Sequence, residues 1–222
     1  MSKKKYLIDG LKNDRYEMFV SYVHKTNMTA SFIVFEGIDR SGKTTQSSRL
    51  VEYLNQSGRP AVLLRFPNRT TPIGNLINSY LGNKMDMCNE SIHLLFSANR
   101  WEMCSIIRDH LENGITVVAD RYTYSGVAFS MAKGMDMEWC LQSDKGMPVP
   151  DLVLFMRIAD TSDRPGWGGE RYETKDFQER VRTAFSYLHD ARWCVVNASK
   201  SVDEVELSIR KVVNKLLVRY LY

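Results

Sequence analysis

The chain has 222 residues, of which 44% are hydrophobic and 25% charged, and its formal net charge is +4. This length and composition are those of one well-buried globular domain. Residues 1–30 carry six lysines and arginines against three acids, so the other 192 residues are almost neutral. Nucleic-acid-binding surfaces concentrate basic residues, so the body of the chain is expected to bind no nucleic acid and to be an enzyme or a small-ligand binder.

The cysteine pattern and the hydropathy exclude two further classes. The four cysteines are far apart and form no C-x-x-C pair, so neither a metal site nor a disulfide framework is expected. Four reduced thiols favour a cytoplasmic location. No apolar run approaches the ~20 residues needed to cross a bilayer, so no membrane association is expected.

Residues 1–30 are predicted to be an N-terminal extension, helical or disordered, and residues 31–222 to form the functional domain. Apolar residues from Leu7 to Tyr22 fall roughly at helical spacing. With three acids and one arginine, the segment is unlike a transit peptide. Met28, just before the first strand, is an alternative start.

The rest of the chain alternates short apolar runs with helical patterns, and both kinds of element follow one another in a regular order. Strands are predicted at Phe32–Phe35, Ala61–Phe66, Ile115–Ala119, Leu152–Ile158 and Cys194–Asn197. Helices are predicted from Lys43 to about Gln56, along a long apolar face from Ile92 to Leu111, and after Ser201, which has capping-box spacing to Glu204. Short buried strands alternating with helices predict an α/β fold with a parallel sheet covered on both faces.

Between Asp160 and Tyr172 the pattern breaks into "DTSDRPGWGGERY", which holds three glycines and a proline. Two interpretations stay open for this segment: a plain surface connection, or a lid that closes over a ligand.

The segment "GIDRSGKT", Gly37 to Thr44, fits the pattern G-x-x-x-x-G-K-[ST] between a strand and a helix. The glycines let backbone N–H groups turn onto phosphate oxygens, and the helix adds the positive end of its dipole. Lys43 is expected to meet the β- and γ-phosphates, and Thr44 to offer its hydroxyl to Mg²⁺. Asp120, directly after the third strand, is the expected magnesium-ordering carboxylate. The chain is therefore predicted to bind a nucleoside triphosphate.

Three classes of protein use such a loop. A GTPase would carry an Asn-Lys-x-Asp segment, which is absent, and a motor would carry an acid pair where Arg121 follows "VVAD". A small-molecule kinase needs a second pocket for an anionic acceptor. Three segments offer one: "RFPNRT" with Arg69, "HLLFSANRWE" with Phe96 and Arg100 on one helix face, and "ADRYTYSGVAF". Arginines and an aromatic face can hold a nucleotide by its phosphate and its base.

Six segments together resemble the thymidylate kinase family, in its eukaryotic and poxviral type with an arginine in the phosphate loop. They are "FEGIDRSGKTTQ", "LLRFPNRTTPIG", "HLLFSANRWE", "DRYTYSGVAFS", "GMPVPDLVLF" and "ERYETKDFQERV". The resemblance implies a nucleoside monophosphate kinase fold with a five-stranded parallel sheet and a short lid at about residues 160–172. It also implies Mg²⁺-dependent transfer of the γ-phosphoryl of ATP to dTMP, in dTTP biosynthesis, by a homodimer.

The resemblance also assigns site residues. The expected catalytic residues are Lys43, Arg40, Asp39 and Arg121. The expected ATP-binding residues are Gly37, Arg40, Ser41, Gly42, Lys43, Thr44, Thr45 and Arg164. The expected dTMP-binding residues are Asp39, Phe66, Arg69, Phe96, Arg100, Arg121, Ser125, Gly126, Phe129 and Tyr172. Thr44 and Asp120 are expected at the metal, the latter through water.

Two of these residues are unusual inside an anion-binding loop. By resemblance, Asp39 turns toward the acceptor's 3′-hydroxyl or an acceptor-side arginine, and Arg40 acts as a built-in arginine finger. Two other functions stay open at this point. One is a kinase of the same fold with another monophosphate or a nucleoside as acceptor, and the other is a nucleotide-binding protein without turnover.

Overall fold

The computed structural model describes residues 30–218. The predicted extension, its helical pattern and the alternative start at Met28 lie outside the described residues, except for Ala30. Among the helices that the structure describes, none combines the length and apolar character needed to span a bilayer.

Five strands form one parallel sheet in the order β2-β3-β1-β4-β5. Their bounds differ from the predicted ones by no more than one residue at either end. The strands are β1 Phe32–Glu36, β2 Ala61–Arg65, β3 Thr116–Asp120, β4 Leu152–Arg157 and β5 Trp193–Asn197. The predicted five-stranded parallel sheet is therefore confirmed.

Strand β1 lies at the centre of the sheet, and all of its residues are buried. Its side chains alternate between two hydrophobic clusters, as successive residues of a strand must. Ile33 and Phe35 belong to one cluster, and Phe32 and Val34 belong to the other. The two clusters are the two faces of the sheet, and helices cover both.

Eight helices are present within residues 30–218. They are α1 Lys43–Gln56, α2 Pro72–Leu81, α3 Asn89–Trp101, α4 Cys104–Glu112, α5 Thr123–Met131, α6 Met137–Gln142, α7 Lys175–Ser186 and α8 Val202–Val218. Helices α2, α5, α6 and α7 correspond to none of the helices whose positions were predicted above. Helix α1 has its predicted bounds, and the capping box of α8 is present, since Glu204 N–H lies 3.4 Å from Ser201 Oγ and Ser201 N–H lies 3.2 Å from Glu204 Oε2.

The single long helix predicted from Ile92 to Leu111 is wrong, because the chain breaks there between α3 and α4. Met103, at the break, donates its N–H to Arg100 in a tight closing turn. Residues before the break pack into one hydrophobic cluster, whereas Met103, Ile107 and the rest of α4 pack into the other. One straight helix cannot reach both faces of the sheet. The chain therefore changes direction at Met103, although apolar residues recur at helical spacing on both sides of it.

Candidate active site

The predicted site residues gather at the carboxyl-terminal edge of the sheet, where open α/β folds bind ligands. Strands β2, β3 and β1 are neighbours, so the loops that follow them meet there. These loops and the 160–172 segment surround a cavity of about 1070 Å³. That volume exceeds the roughly 300–1,000 Å³ typical of a pocket for one small ligand.

The phosphate loop curls between β1 and α1 through three left-handed residues. Gly37, Arg40 and Gly42 have φ angles of 141°, 58° and 92°. A β-carbon at Gly37 would stand 2.8 Å from the carbonyl oxygen of Met156, closer than side chains come. Backbone angle and space therefore both require glycine at this position.

The amino group of Lys43 lies inside the curl of the loop. Its Nζ donates to the carbonyl oxygen of Ile38 at 2.5 Å and to Ser41 Oγ at 3.2 Å. Burial and the charge of Arg121 together lower the pKa of Lys43 to about 7, against the opposing effect of nearby carboxylates. A phosphate in the loop adds negative charge beside this nitrogen and so favours its protonated form.

Thr44 and Asp120 meet at the edge of the cavity. The Thr44 hydroxyl donates to Asp120 Oδ2 at 2.6 Å, although 76 residues separate the two. A hydroxyl and a carboxylate are hard oxygen ligands of the kind that Mg²⁺ prefers, and Mg²⁺ usually takes its other ligands from phosphates and water. This pair fits the predicted magnesium site, and the described residues contain no cluster of three or more acidic, histidine or cysteine ligands that would hold a metal alone.

Asp39 is held from both sides. Its Oδ1 accepts from Arg121 Nη2, and its Oδ2 accepts from Gln178 Nε2 at 2.6 Å. The N–H of Asp39 also donates to Gln178 Oε1 at 2.8 Å. The side-chain amide of Gln178 therefore binds both the backbone and the carboxylate of Asp39. Arg121, which has a left-handed φ of 69°, also donates to the Gly37 carbonyl at 2.9 Å. The acid in the loop is therefore the counter-ion of an arginine that follows β3.

Arg40 points to the 160–172 segment. Its Nε donates to Glu173 Oε1 at 2.7 Å, and its other nitrogens donate to the carbonyls of Pro165 and Gly166. In return, Arg164 Nη1 donates to the carbonyl oxygen of Arg40 at 2.7 Å. The segment thus lies over the phosphate loop. It contacts Arg40 both at its side chain and at its backbone carbonyl.

The far wall of the cavity contains Phe96 and Arg100, one turn apart on α3. Arg100 is only 2% exposed and donates to both oxygens of Asp144, with Nη2–Oδ2 at 2.7 Å. Ser97 donates to the same carboxylate at 2.8 Å. A β-carbon at Gly126 would stand 2.6 Å from Arg100 Nη2, so the glycine makes room for the guanidinium.

Aromatic rings close another wall. Phe129 and Tyr172 have ring centroids 5.6 Å apart, and Tyr172 stacks on Phe177 at 4.7 Å. The Tyr172 hydroxyl lies 3.1 Å from that of Tyr80, which ties the wall to the end of α2. These rigid rings fix the width of the cavity at this point.

The two loop arginines, Arg69 and Arg121, and their neighbours complete the wall of the cavity. Arg69 forms an ion pair with Glu170 at 2.7 Å and donates to Asn78 at 2.8 Å. Phe66, just after β2, is buried and lines the cavity beside Arg69. Ser125, at the start of α5, accepts from Arg121 Nη1 at 3.0 Å.

Seventeen of the predicted site residues line the cavity, and two do not. Those that do are Asp39, Arg40, Gly42, Lys43, Thr44, Thr45, Phe66, Arg69, Phe96, Arg100, Asp120, Arg121, Ser125, Gly126, Phe129, Arg164 and Tyr172. Gly37 and Ser41 lie behind the wall, where they accept from Arg121 and Lys43.

Sequence reasoning missed the acids and amides that hold these residues in place. Gln178 and Glu173 both lie in "ERYETKDFQERV", so the family-like segment carried a signal for them. No sequence pattern pointed to Asp144, which lies 44 residues from its partner Arg100. Lys133 also lines the cavity, and burial lowers the pKa of its amino group to about 8.

Comparison with known proteins agrees with this geometry. The thymidylate kinase family model matches residues 35–209. The human thymidylate kinase is 50% identical over 186 residues, which are 81% of this chain and 88% of that protein. The thymidylate kinase of Arabidopsis thaliana is 48% identical over 185 residues, which are 82% of this chain and 70% of that protein.

Among solved structures, the thymidylate kinase of Candida albicans, an enzyme of broad substrate specificity, superposes with a TM-score of 0.78 at 38% identity. The match covers 85% of this chain and 94% of that one. The resemblance and the fold predicted from the sequence are thereby confirmed. The chain belongs to the thymidylate kinase family and is a kinase.

Proposed function

We propose that this chain transfers the γ-phosphoryl of ATP to dTMP, which gives dTDP and ADP and feeds dTTP biosynthesis. The observation that carries the proposal is one continuous cavity lined by both the phosphate loop and the Phe96–Arg100 wall. Phosphoryl transfer requires two nucleotides end to end, positioned and neutralised in charge. The family assignment makes dTMP the acceptor.

ATP takes the donor side. Its β- and γ-phosphates meet the N–H groups of the loop and the amino group of Lys43, which exchanges the Ile38 carbonyl for phosphate oxygens. Arg164, beside Gly42 and bound to the Arg40 carbonyl, flanks the adenine. This arrangement uses the dipole of α1 as well as the buried ammonium.

Thr44 and, through water, Asp120 would hold Mg²⁺. Their oxygens are 2.6 Å apart and line the cavity, and their chemistry suits a hard cation. When bound, the ion neutralises charge on the transferred phosphoryl group. Asp120 also orients the Thr44 hydroxyl, which lies in the first turn of α1.

The acceptor lies across the cavity. Thymine stacks on Phe96, and Arg100 donates to a ring carbonyl from a position fixed by Asp144. Arg69 and Arg121 hold the acceptor phosphate, while Ser125, Gly126 and Phe66 line the pocket. Phe129 and Tyr172 occupy the space beside the 2′ carbon and so favour deoxyribose, because a hydroxyl there would meet two rings only 5.6 Å apart.

Arg40 and Asp39 join the two halves. Arg40 leaves Glu173 and the lid carbonyls to neutralise the γ-phosphate as charge develops, a role worth about 10³–10⁵ in rate in other enzymes. Asp39 keeps Arg121 directed at the acceptor phosphate and accepts from the 3′-hydroxyl. Residues 160–172 act as the lid, and the contacts of this segment with both Arg40 and Arg69 support that role.

The same proposal includes a homodimer and a cytoplasmic location. Leu94 and Trp101 are seven residues apart on one face of α3 and are both exposed, although they are large and apolar. The four cysteines are unpaired, which suits a reducing compartment. Light scattering that gives twice the 25.6 kDa chain mass supports the dimer, and 25.6 kDa contradicts it.

A coupled ADP-release assay with Mg-ATP tests the function. We expect dTMP to be turned over fastest, dUMP more slowly, and dGMP, UMP and AMP least, because a missing methyl group costs only about 10–200-fold. Lys43→Met abolishes turnover while dTMP still binds by calorimetry. If folded protein with Mg-ATP turns over another acceptor but not dTMP, the assignment of the acceptor is wrong.

A further inference from the structure

Glu36 is a carboxylate enclosed completely by protein, at the end of β1 and next to Gly37. Three donors surround it. The N–H groups of Tyr122 and Ser125 each lie 3.0 Å from Oε1, and the Ser125 hydroxyl lies 2.5 Å from Oε2. A buried charge is costly unless it is paired and hydrogen-bonded. None of the substrate contacts proposed above involves Glu36.

One oxygen of Glu36 caps helix α5 from a distant part of the chain. The N-cap residue, Tyr122, makes no side-chain cap hydrogen bond. N–H groups at a helix start need acceptors, and negative charge is favoured there. Glu36, 86 residues before Tyr122, supplies both with Oε1 alone. The second oxygen, Oε2, is left for another partner.

That partner is the Ser125 hydroxyl, which has a single proton to donate. Because this proton goes to Glu36, the oxygen of Ser125 presents its lone pairs to Arg121 Nη1, 3.0 Å away. Glu36 thereby sets the direction of the hydroxyl, and the hydroxyl fixes one edge of the guanidinium. The Gly37 carbonyl and Asp39 fix the rest of it.

Neighbouring groups act both on the charge of Glu36 and on the backbone of Arg121. Burial raises the pKa of Glu36, whereas the hydrogen bond from Ser125 and the charges of Arg121 and Lys43 favour the ionised form. Arg121 itself has φ 69°, a conformation that side-chain-bearing residues adopt at a cost. Its position therefore depends on neighbours that hold it there.

We propose that Glu36 is a positioning residue for the phosphoryl acceptor, acting through Ser125 to hold the Arg121 guanidinium where the acceptor phosphate binds. The inference rests on the proposed function, in which Arg121 contacts the phosphate of dTMP. It assigns to one carboxylate two separable tasks: Oε1 caps the helix, and Oε2 orients the acceptor-binding arginine.

Glu36→Gln separates the two tasks. The amide oxygen still accepts from both backbone N–H groups, so the cap of α5 survives. The amide nitrogen now faces the Ser125 hydroxyl as a donor and competes with Arg121 for its oxygen. We expect kcat/KM for dTMP to fall roughly 10- to 100-fold, the effect of a small misplacement of a binding group. The loss appears in kcat and in KM for dTMP, while KM for ATP and the melting temperature stay close to wild type.

Two further variants complete the test. If Glu36 acts through Ser125, adding Glu36→Gln to Ser125→Ala causes little further loss, whereas independent effects would multiply. Asp151→Asn is the matched control: Asp151 accepts from the N–H of Phe32 at the opposite end of β1, at 2.7 Å, so its amide variant is expected to keep wild-type kinetics.

Three results would overturn the inference. They are wild-type kinetics for Glu36→Gln, multiplying losses in the double variant, and a rise in KM for ATP together with a lower melting temperature. An active wild type with an unaffected Glu36→Gln removes the inference alone. A folded wild type that turns over no dTMP removes the proposed function and this inference with it.

Discussion

Arg40 of the phosphate loop pairs with Glu173, which directly follows the 160–172 segment, with Nε and Oε1 2.7 Å apart. The Glu173 carboxylate thus occupies the guanidinium that, in the proposed function, neutralises the γ-phosphate. Three residues earlier, Glu170 pairs with Arg69 on the acceptor side at 2.7 Å. Two acids, one in this segment and one directly after it, therefore hold one arginine from each half of the site.

Arg40→Gly is expected to lower kcat by about 10³ or more, because the variant lacks the positive charge at the γ-phosphate. Since Arg40 has φ 58°, glycine adopts the same backbone angle without strain, and the loop keeps its shape. Single-turnover kinetics measure the loss, and calorimetry with dTMP is expected to give wild-type affinity. A wild-type rate would show that the arginine finger is elsewhere.

Glu173→Gln is expected to tighten ATP binding about two- to fivefold, since a partly exposed ion pair is worth about 0.2–1 kcal/mol. The variant removes the charge that competes for Arg40 but keeps an acceptor for the N–H groups of Gly169 and Glu170. Calorimetry with a non-hydrolysable ATP analogue measures the change. Glu170→Gln is the matched variant and is expected to change dTMP affinity instead; the opposite pattern would contradict the division of the lid between substrates.

Asp39→Asn is expected to raise KM for dTMP and also to lower kcat. The amide loses the charge that pairs with Arg121, but it can still accept from Gln178 Nε2. Steady-state kinetics with each substrate varied in turn separate the two effects, and KM for ATP is expected to change little. If every constant is unchanged, the acid only braces the loop.

Gly126→Ala is expected to raise KM for dTMP roughly tenfold, within the usual effect of reshaping a specificity pocket. The new methyl group would stand 2.6 Å from Arg100 Nη2, and Arg100 cannot yield without straining its pair with Asp144. Alanine is the better helix former by about 1 kcal/mol, so stability is expected to fall little. An unchanged KM for dTMP would argue against a role for Arg100 in binding the base.

Lys133→Met is expected to stabilise the protein in a pH-dependent way. Burial, together with the charge of Arg171, lowers the pKa of the amino group to about 8 from a usual value of 10.5, against opposing effects of Cys140, Glu90 and Cys88. The unfolded chain thus binds the proton more tightly, and the penalty is full below pH 8 and fades as the pH rises to 10.5. We expect a gain of up to about 3 kcal/mol at pH 7, at about 1.4 kcal/mol per pKa unit.

Denaturant unfolding of wild type and Lys133→Met at pH 7, 9 and 10.5 measures this difference. The two stabilities are expected to converge as the pH rises. A gap that is constant with pH would mean that the methionine acts by packing rather than by removing a buried charge.

The parts of the site that a sequence reveals are those made by contiguous residues. The phosphate loop is one run from Gly37 to Thr44, and a parallel strand that ends in an acid places Asp120 beside it. The bounds of the strands can also be predicted from neighbouring residues, because each buried strand is a short apolar run. These features can be predicted without knowing which residues lie on the other side of the cavity.

What the sequence did not reveal are partners joined by the fold alone. Asp144 and Arg100 are 44 residues apart, and Gln178 and Asp39 are 139 apart, and no local pattern links either pair. The break at Met103 was hidden because α3 and α4 share one apolar period while they pack on different faces of the sheet. Long-range pairs and changes of direction both depend on tertiary packing, which periodicity does not encode.

In the proposed function, the curl of backbone around Asp39 serves both substrates, since the phosphate loop holds ATP while the Asp39 carboxylate holds Arg121, which binds the acceptor. A movement of the curl then changes the binding of both ligands. The curl therefore couples the two binding free energies. Thermodynamic reciprocity requires that whatever factor dTMP applies to the affinity for ATP, ATP applies the same factor to dTMP. In the proposed function, a single turn of main chain thus couples the two binding free energies to the same extent, whichever nucleotide binds first.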